Sequence, residues 1–265
     1  MKTQMRRLWE SLAETLSAHP LLVKTVALAG GSGLIIAAYR DYQAFLALGR
    51  GGIPYNAFGW LINALILRPL ALSYSARLYT GDYPDSGAGK VLLELPLREG
   101  RRPMADGIIP HRQMTDKAPE AMAAPSRQMM LGFLEDPAFE GRLEVKKSHY
   151  ELHNDALYVK NLEDTALPAL APAAKGEIMH VHPDRSIHVY LHPADARVVI
   201  AKGWGERHRL SRTWPWWMGR RQQLLGVGHT WIMLYGARDE YELATLRDIT
   251  AEGVKWMLGD RAGGS

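Results

Sequence analysis

The sequence predicts an α+β fold, in which helices pack on one face of an antiparallel sheet after a hydrophobic N-terminal helix. Residues 177–192 alternate in the manner of a β-hairpin. The other strands and helices follow in mixed order, without the regular βαβ alternation of a parallel sheet. An apolar run, Leu21–Tyr39, contains one charged residue, Lys24. These three observations set the fold class.

The composition is that of a globular domain with appendages. The chain has 265 residues, of which 47% are hydrophobic and 23% charged. A net charge of +4 is too small to indicate nucleic-acid binding. Because the sequence has no cysteine, disulfides and thiolate chemistry are excluded. Any metal would therefore need histidine or carboxylate ligands.

The N-terminus predicts two helices. The first is amphipathic and suited to a membrane surface, with one apolar face formed by Met5, Leu8, Trp9, Leu12 and Leu16. Pro20 opens the second. At 1.5 Å per residue, Leu21–Tyr39 is about 28 Å long, close to the thickness of the bilayer core. We expect a membrane anchor; a buried helix and a signal peptide are the alternatives.

The middle of the chain predicts short elements. Ala57–Leu67 is too short to span a membrane and is expected to end at Arg68-Pro69, as an interfacial or buried helix. Thr80–Gly89 has the composition of a loop and a domain boundary. The further expectations are a strand over Val91–Leu95, a proline-interrupted helix over Lys117–Phe139, and two strands within Leu143–Val159, one of which carries His153. The predicted domains are residues 1–45, 46–84 and 85–260.

The hairpin concentrates histidines. Strands over 177–182 and 187–192 are joined by a turn at Pro183–Ser186, and side chains alternate between faces. His180 and His182 therefore share one face, and three imidazoles converge if His182 lies opposite or diagonal to His188. Such a cluster can bind zinc, iron or copper, or transfer protons; the alternative is a histidine-rich surface hairpin. His192 is expected to end the strand and lead into a helix over Ala194–Lys202, outside the cluster.

Two aromatic segments follow. Gly203-Trp204-Gly205 predicts a tight turn that brings Trp204, Arg207 and His208 together, with φ > 0 at one or both of the glycines. A second group predicts an interfacial belt rather than a nucleic-acid stacking surface: Arg212, Trp214, Trp216, Trp217, Arg220 and Arg221. A strand over Trp231–Leu234 and a helix from Glu240 to Leu258, capped by Asp239, complete the chain.

The hairpin and the glycine turn together resemble the fungal luciferase family. The resemblance rests on Glu177-Ile178-x-His180-x-His182, His188 and Gly203-Trp204-Gly205-x-Arg207-His208. Further blocks in the same order are Arg40-Asp41-Tyr42-Gln43-x-Phe45-Leu46, Leu95-Pro96-x-Arg98-Glu99-Gly100-x-Arg102-Pro103, Arg112-Gln113, Glu151-x-His153 and Leu234-Tyr235-x-x-Arg238-x-Glu240. The chain departs from the luminous members at Arg209-Leu210-Ser211 and Gly236-Ala237. These differences affect the expected substrate and leave the fold assignment unchanged.

The resemblance implies an activity and a set of site residues. It implies oxidation of a hydroxylated pyrone, such as 3-hydroxyhispidin, by molecular oxygen without a cofactor, with light emission in luminous relatives. It also implies anchoring in an endomembrane such as the endoplasmic reticulum, and a catalytic role for residues 85–260. The catalytic candidates are His180, His182, His188 and His208; the substrate-binding candidates are Arg98, Arg102, His153, Trp204, Arg207 and Tyr235.

Two other functions fit the same residues. One is a metal-dependent oxygenase in which His180, His182 and His188 bind iron or copper. The other is a non-catalytic, membrane-tethered module that binds an aromatic metabolite.

Overall fold

The computed structural model describes residues 2–212, 223–224 and 226–261. The chain divides into two units, residues 1–47 and 48–265, and the predicted segment 46–84 falls almost entirely in the second. Most of the predicted interfacial belt lies outside the described residues, namely Trp214, Trp216, Trp217, Arg220 and Arg221. That belt stays a prediction.

The first unit consists of two helices, α1 (Lys2–Ala18) and α2 (Pro20–Ala47). Pro20 opens α2, as predicted, and the helix continues beyond Tyr39. Among the described residues, α2 is the helix long and apolar enough to cross a membrane; its most apolar window has a mean hydropathy of 1.8 and is exposed. Length and composition fit an anchor and also a signal sequence, because both are apolar helices near the N-terminus.

The second unit begins with a continuous helical segment. It comprises α3 (Ala57–Leu61), a π-helix (Ile62–Leu67) and α4 (Arg68–Leu70). The Asn56 side chain caps α3 by accepting the amides of Phe58 and Gly59. The prediction that Arg68-Pro69 ends the helix is wrong by a few residues. The wider π-turn, in which the Arg68 amide bonds to Asn63, leaves room for Pro69 inside the last turn.

The remaining helices are short except the last. They are α5 (Lys90–Leu93), α6 (Ala123–Leu131), α7 (Leu170–Ala173), α8 (Pro193–Ala201) and α9 (Glu240–Met257), with 3₁₀ turns at Ala76–Leu78, Glu120–Met122, Gly132–Leu134 and Pro137–Phe139. The strand predicted over Val91–Leu95 is wrong, because α5 occupies most of it. Leu92 and Leu95 are buried while Val91 and Leu93 are exposed, which is helical and not strand spacing.

Within the described ranges of the chain, ten strands form one large and two small sheets. They are β1 (Ala105–Asp106), β2 (Arg112–Gln113), β3 (Leu143–Lys147), β4 (Asp155–Val159), β5 (Glu177–Val181), β6 (Ile187–Tyr190), β7 (Gly205–Arg207), β8 (Gln223–Leu224), β9 (Val227–Gly228) and β10 (Trp231–Leu234). The large sheet has the order β3-β4-β5-β6-β10-β7, and every pair in it is antiparallel. Both α6 and α9 contact β5, and α9 also contacts β6. The predicted α+β fold is confirmed.

Caps and turns fix the ends of these elements. Asp239 caps α9 by accepting the Glu242 amide, as predicted. His192 caps α8 through Nδ1, which accepts the Ala194 amide, so it ends the hairpin as expected. His153 does not lie on a strand as predicted. It is in the β3–β4 connection, which is closed by the Ser148 amide bonded to the Asn154 carbonyl and contains Leu152 at φ 63°.

Candidate active site: a buried histidine cluster

The register of the central hairpin brings three histidines together. His180 pairs directly with His188 across β5 and β6, which leaves His182 diagonal to His188. The His182 and His188 ring centroids are 4.4 Å apart, and those of His180 and His188 are 5.3 Å apart. All three residues are at most 3% exposed. The predicted diagonal arrangement is confirmed, and the alternative of a surface hairpin is wrong.

Two further histidines join them. His208 directly follows β7, and its amide continues the pairing by donating to the Trp231 carbonyl. Its ring lies 5.1 Å from that of His188. His111, just before β2, stacks on His188 with Nδ1 3.4 Å from the His188 Nε2. His111 was not among the predicted site residues; its position beside the Arg112-Gln113 block was the available signal.

Glu177 forms a hydrogen bond with the His180 Nδ1, the ring nitrogen that points away from the other histidines (the outer nitrogen). A bulge between β4 and β5 pairs Tyr158 with Glu177 and Ala156 with His180, so that Glu177 falls on the same face as His180 despite the odd spacing. The His180 Nδ1 is 2.7 Å from the Glu177 Oε1. Burial by itself raises the pKa of Glu177, but hydrogen bonds from His180, Ser148 and Tyr158 outweigh it and hold that pKa below its usual range.

The outer nitrogen of His182 meets a hydroxyl instead. Its Nδ1 lies 2.8 Å from the Ser186 Oγ, and that hydroxyl donates to the Asp184 Oδ1 at 2.6 Å. On the inner side, the His182 Nε2 is 3.8 Å from the Glu151 Oε1. Glu151 is itself held by both terminal nitrogens of Arg112, at 3.0 and 2.6 Å. Arg112 therefore brings a positive charge to the edge of the cluster.

Another buried carboxylate, Glu206, lies beside His111. The His111 Nε2 is 3.4 Å from the Glu206 Oε1, and the Glu206 Oε2 accepts the Tyr235 hydroxyl at 2.7 Å. Arg77 Nε is 3.3 Å from the same Oε2. Glu206 is completely buried. Glu206, which lies between the Gly203–Gly205 turn and Arg207, was not among the predicted site residues.

Burial keeps the inner imidazoles neutral. It lowers the pKa of His182, His188 and His208 well below the usual value, and neighbouring cationic groups add to the effect, beginning with Arg112 for His182. A neutral imidazole offers one lone pair, which can accept a proton or bind a metal.

Two cavities adjoin the cluster. The smaller, of about 30 Å³, is lined by Ile108, Ile109, Pro110, His111, Tyr150, Glu151, His188, His208, Val227 and Trp231. The larger, of about 230 Å³, is lined by His153 and His182 together with polar residues that include Arg127, Lys147 and Asp155. His153 is therefore brought to a cavity that reaches His182, although it is not part of the cluster.

The glycine turn separates the residues that it was predicted to bring together. Because side chains alternate along β7, Glu206 and His208 face the cluster, whereas Arg207 points to the other side. There the Arg207 guanidinium bonds to Asp82 at 2.7 Å and to the Ser211 carbonyl. The Trp204 indole N–H donates to the Pro96 carbonyl at 2.8 Å. Of the predicted trio, His208 is the one that reaches the cluster.

The other candidate arginines are held by protein groups. Arg98 bonds to Glu242 and to the Gly236 carbonyl. Arg102 donates to the carbonyls of Gly205 and Ile200. Tyr235 connects to the cluster through its hydrogen bond to Glu206, which lies beside His111. The cluster is built without Arg98, Arg102, Trp204 or Arg207, and their roles in substrate binding stay predictions.

Two overlapping histidine triads have the spacing of metal ligands. They are His180, His182 and His188, and His111, His188 and His208; the donor atoms within each triad lie within 4.8 Å of one another. In the second triad, the His208 Nδ1 already accepts the Leu210 amide at 3.0 Å. A neutral His208 therefore carries its proton on Nε2 and has no lone pair left for a metal, so the first triad is the better candidate.

Comparison with known proteins shows similarity to luciferases of luminous fungi. Residues 175–253, which contain most of the cluster, match the model of the Luciferase domain. The chain is 28% identical to the luciferase of Armillaria ostoyae over 236 residues, 84% of this chain and 83% of that protein. The luciferase of Armillaria mellea gives the same figures over 239 residues, and that of Neonothopanus nambi is 28% identical over 84% of this chain and 82% of its own length. No solved structure matches significantly. The resemblance to the fungal luciferase family is confirmed, and it extends over most of the chain.

Proposed function

We propose that this protein is a luciferase-type oxygenase that oxidises a hydroxylated pyrone of the 3-hydroxyhispidin class with molecular oxygen. The observation that carries the proposal is the buried cluster of His111, His180, His182, His188 and His208, most of which lies in the part of the chain that matches the luciferase domain. The proposed reaction uses no flavin, nucleotide or ATP. The similarity to luciferases of luminous fungi supports the reaction class.

The first step is removal of the substrate hydroxyl proton. His111 is suited to accept it, because its Nε2 faces the Glu206 carboxylate and its Nδ1 faces the interior beside His188. A carboxylate behind an imidazole fixes its tautomer and stabilises the imidazolium that forms. The resulting enolate is electron-rich enough to react with oxygen. The peroxide that forms then loses carbon dioxide.

The small cavity supports this assignment of His111. His111, His188 and His208 line it on one side, and Ile108, Tyr150 and Trp231 contribute apolar and aromatic surface. Such walls suit a planar aromatic substrate and exclude water from a reactive enolate. A volume of about 30 Å³ holds no more than a water molecule or two, so substrate binding must widen the cavity.

The N-terminal helix suggests where the enzyme works. We place it on an endomembrane such as the endoplasmic reticulum, anchored by α2. A planar aromatic molecule with polar hydroxyl groups partitions to the membrane interface, which supports a tethered enzyme as the site of its oxidation.

The test is a direct assay of the purified full-length chain. We expect 3-hydroxyhispidin and air to give oxygen consumption, with light as a second readout, and we expect the His192→Gln variant to behave like the wild type because His192 caps α8 outside the cluster. Absence of both signals with every hydroxylated pyrone tried would contradict the proposal and favour a binding module.

A further inference from the structure

The inner nitrogens of His180 and His182 face each other at an unusually short distance. The two Nε2 atoms are 3.0 Å apart, and both side chains are completely buried. Two ring nitrogens at this distance are stable only if a proton or a cation lies between them. The hydrogen bonds on the outer sides of the two rings decide which nitrogens carry protons.

The outer side of His182 is fixed by Ser186. The Ser186 hydroxyl has one hydrogen, which it donates to the Asp184 Oδ1 at 2.6 Å. Its oxygen is therefore free to accept from the His182 Nδ1 at 2.8 Å. His182 thus carries its proton on Nδ1, and the inner Nε2 presents a lone pair.

The outer side of His180 is fixed by Glu177. This carboxylate also accepts the Ser148 hydroxyl at 2.7 Å and the His149 amide at 2.6 Å, as an ionised carboxylate does. At 2.7 Å from such an acceptor, the His180 Nδ1 must be the donor. In its neutral form His180 therefore also directs an Nε2 lone pair inward, and the two lone pairs repel each other.

We infer that His180, His182 and His188 bind a divalent first-row transition-metal ion. A tetrahedral ion with metal–nitrogen distances of about 2.05 Å separates its ligand nitrogens by about 3.3 Å, which is close to the distance between the two Nε2 atoms. His188 supplies the third nitrogen from the adjacent strand, within 4.8 Å of the other two. Neutral imidazoles suit zinc, copper or iron.

The surrounding groups match those of a metal centre. Histidine ligands commonly donate their outer N–H to a carboxylate or a hydroxyl, as His180 does to Glu177 and His182 does to Ser186. Glu177 is completely buried, and among the described residues His180 is the ion-pair partner found for it. A buried carboxylate without a cation is costly, and a metal bound to the far side of His180 offsets that cost.

A bound metal ion departs from the cofactor-free reaction that the family resemblance implies. Metal binding by these three histidines does not depend on the pyrone substrate. The metal would lie next to His188, which lines the small cavity beside His111 and His208. A bound ion there is in reach of a ligand that enters the cavity.

The first experiment measures metal in the wild-type protein without substrate. The full-length chain is purified in detergent without a metal-affinity column, and elemental analysis is expected to find about one zinc, copper or iron per chain. After chelation, added Cu²⁺ is expected to give an electron paramagnetic resonance spectrum with hyperfine coupling to imidazole nitrogen. No stoichiometric metal before chelation together with no nitrogen coupling after Cu²⁺ addition would overturn the inference.

Variants then locate the ion. We expect His180→Gln and His182→Gln to lose metal at least 100-fold in affinity, Glu177→Gln to lose it about 10- to 100-fold, and His192→Gln to retain it. Circular dichroism confirms that each variant is folded. Equal binding by wild-type and His182→Gln protein would show an adventitious ion and reject the site. The metal measurements use no substrate. A protein that binds metal but gives neither oxygen consumption nor light in the separate pyrone assay would therefore reject the pyrone proposal alone.

Discussion

Three of the five clustered histidines each meet a different oxygen on the side of the ring that points away from the cluster. Glu177 holds His180, Ser186 holds His182, and Glu206 faces His111. These contacts fix which nitrogen of each ring faces the interior, so the chemistry of the site depends on residues that need not touch the substrate.

Replacing the clustered histidines tests their role most directly. We expect His180→Gln, His182→Gln and His188→Gln each to lower turnover of 3-hydroxyhispidin by about 100-fold or more. Each change also removes a buried hydrogen-bonding group, so we expect a loss of about 1–3 kcal/mol in the free energy of unfolding. His192→Gln is the matched control for turnover, because His192 caps α8 outside the cluster. An inactive His192→Gln protein beside active His180→Gln and His182→Gln proteins would refute the site.

Glu206 tests the assignment of His111 as the base. Glu206→Gln keeps the size of the side chain but removes the charge that stabilises a protonated His111, so we expect turnover to fall by about 10- to 100-fold. Tyr235→Phe removes one hydrogen bond to Glu206 and leaves its charge, so its effect should be smaller. Oxygen consumption under saturating substrate measures both. Equal losses in the two variants would argue against His111 as the base.

At the scale of elements, the β7 strand and the turn before it position His208 and Glu206 together. The turn depends on Gly203, which has φ 90°, as predicted for one of the two glycines. Gly205 has a different constraint, because a Cβ there would lie 2.5 Å from the Met233 carbonyl oxygen of β10. One glycine is required by backbone conformation and the other by the close approach of a strand.

Both glycines should resist substitution. We expect Gly203→Val to cost about 1–3 kcal/mol through backbone strain, and Gly205→Val a similar amount through the clash with Met233. Gly132→Ala is the control, because nothing lies within 4 Å of a Cβ at that position. Denaturant unfolding measures all three. A Gly203→Val protein as stable as the wild type would show that the turn adopts another conformation.

At the scale of the whole molecule, the apolar helix and the histidine cluster belong to different units. Residues 1–47 supply a long apolar helix, and residues 48–265 contain the sheet and all five clustered histidines. The second unit has its own core, which includes Ile178, Val189 and Ile232 from three neighbouring strands.

Deletion of residues 1–39 is therefore expected to release the protein from membranes. The deletion removes the apolar window of α2, the segment with the length to cross a bilayer. Fractionation of cells after a high-salt wash, with the full-length chain as the control, measures the release. Retention of the shortened protein in the membrane pellet would identify Ala57–Leu70 as the anchor.

The sequence by itself determined the hairpin, the face shared by His180 and His182, the caps at His192 and Asp239, and the apolar helix. These features depend on local periodicity and on the chemistry of single residues, which can be read from neighbouring positions. Local patterns failed at Val91–Leu95, where a short apolar run fits a strand and a helical turn equally well.

Only the tertiary structure decided which charged and polar groups meet the histidines. His111, Glu151 and Glu206 come from three different segments, and their contacts with the cluster join residues far apart in sequence. Arg207 lies nearer to His208 in sequence than Glu206 does, and Trp204 lies two residues before Glu206, yet both bond elsewhere. The direction of each side chain depends on strand register, on a bulge in β5 and on packing, and these are set by the whole sheet and not by any one segment.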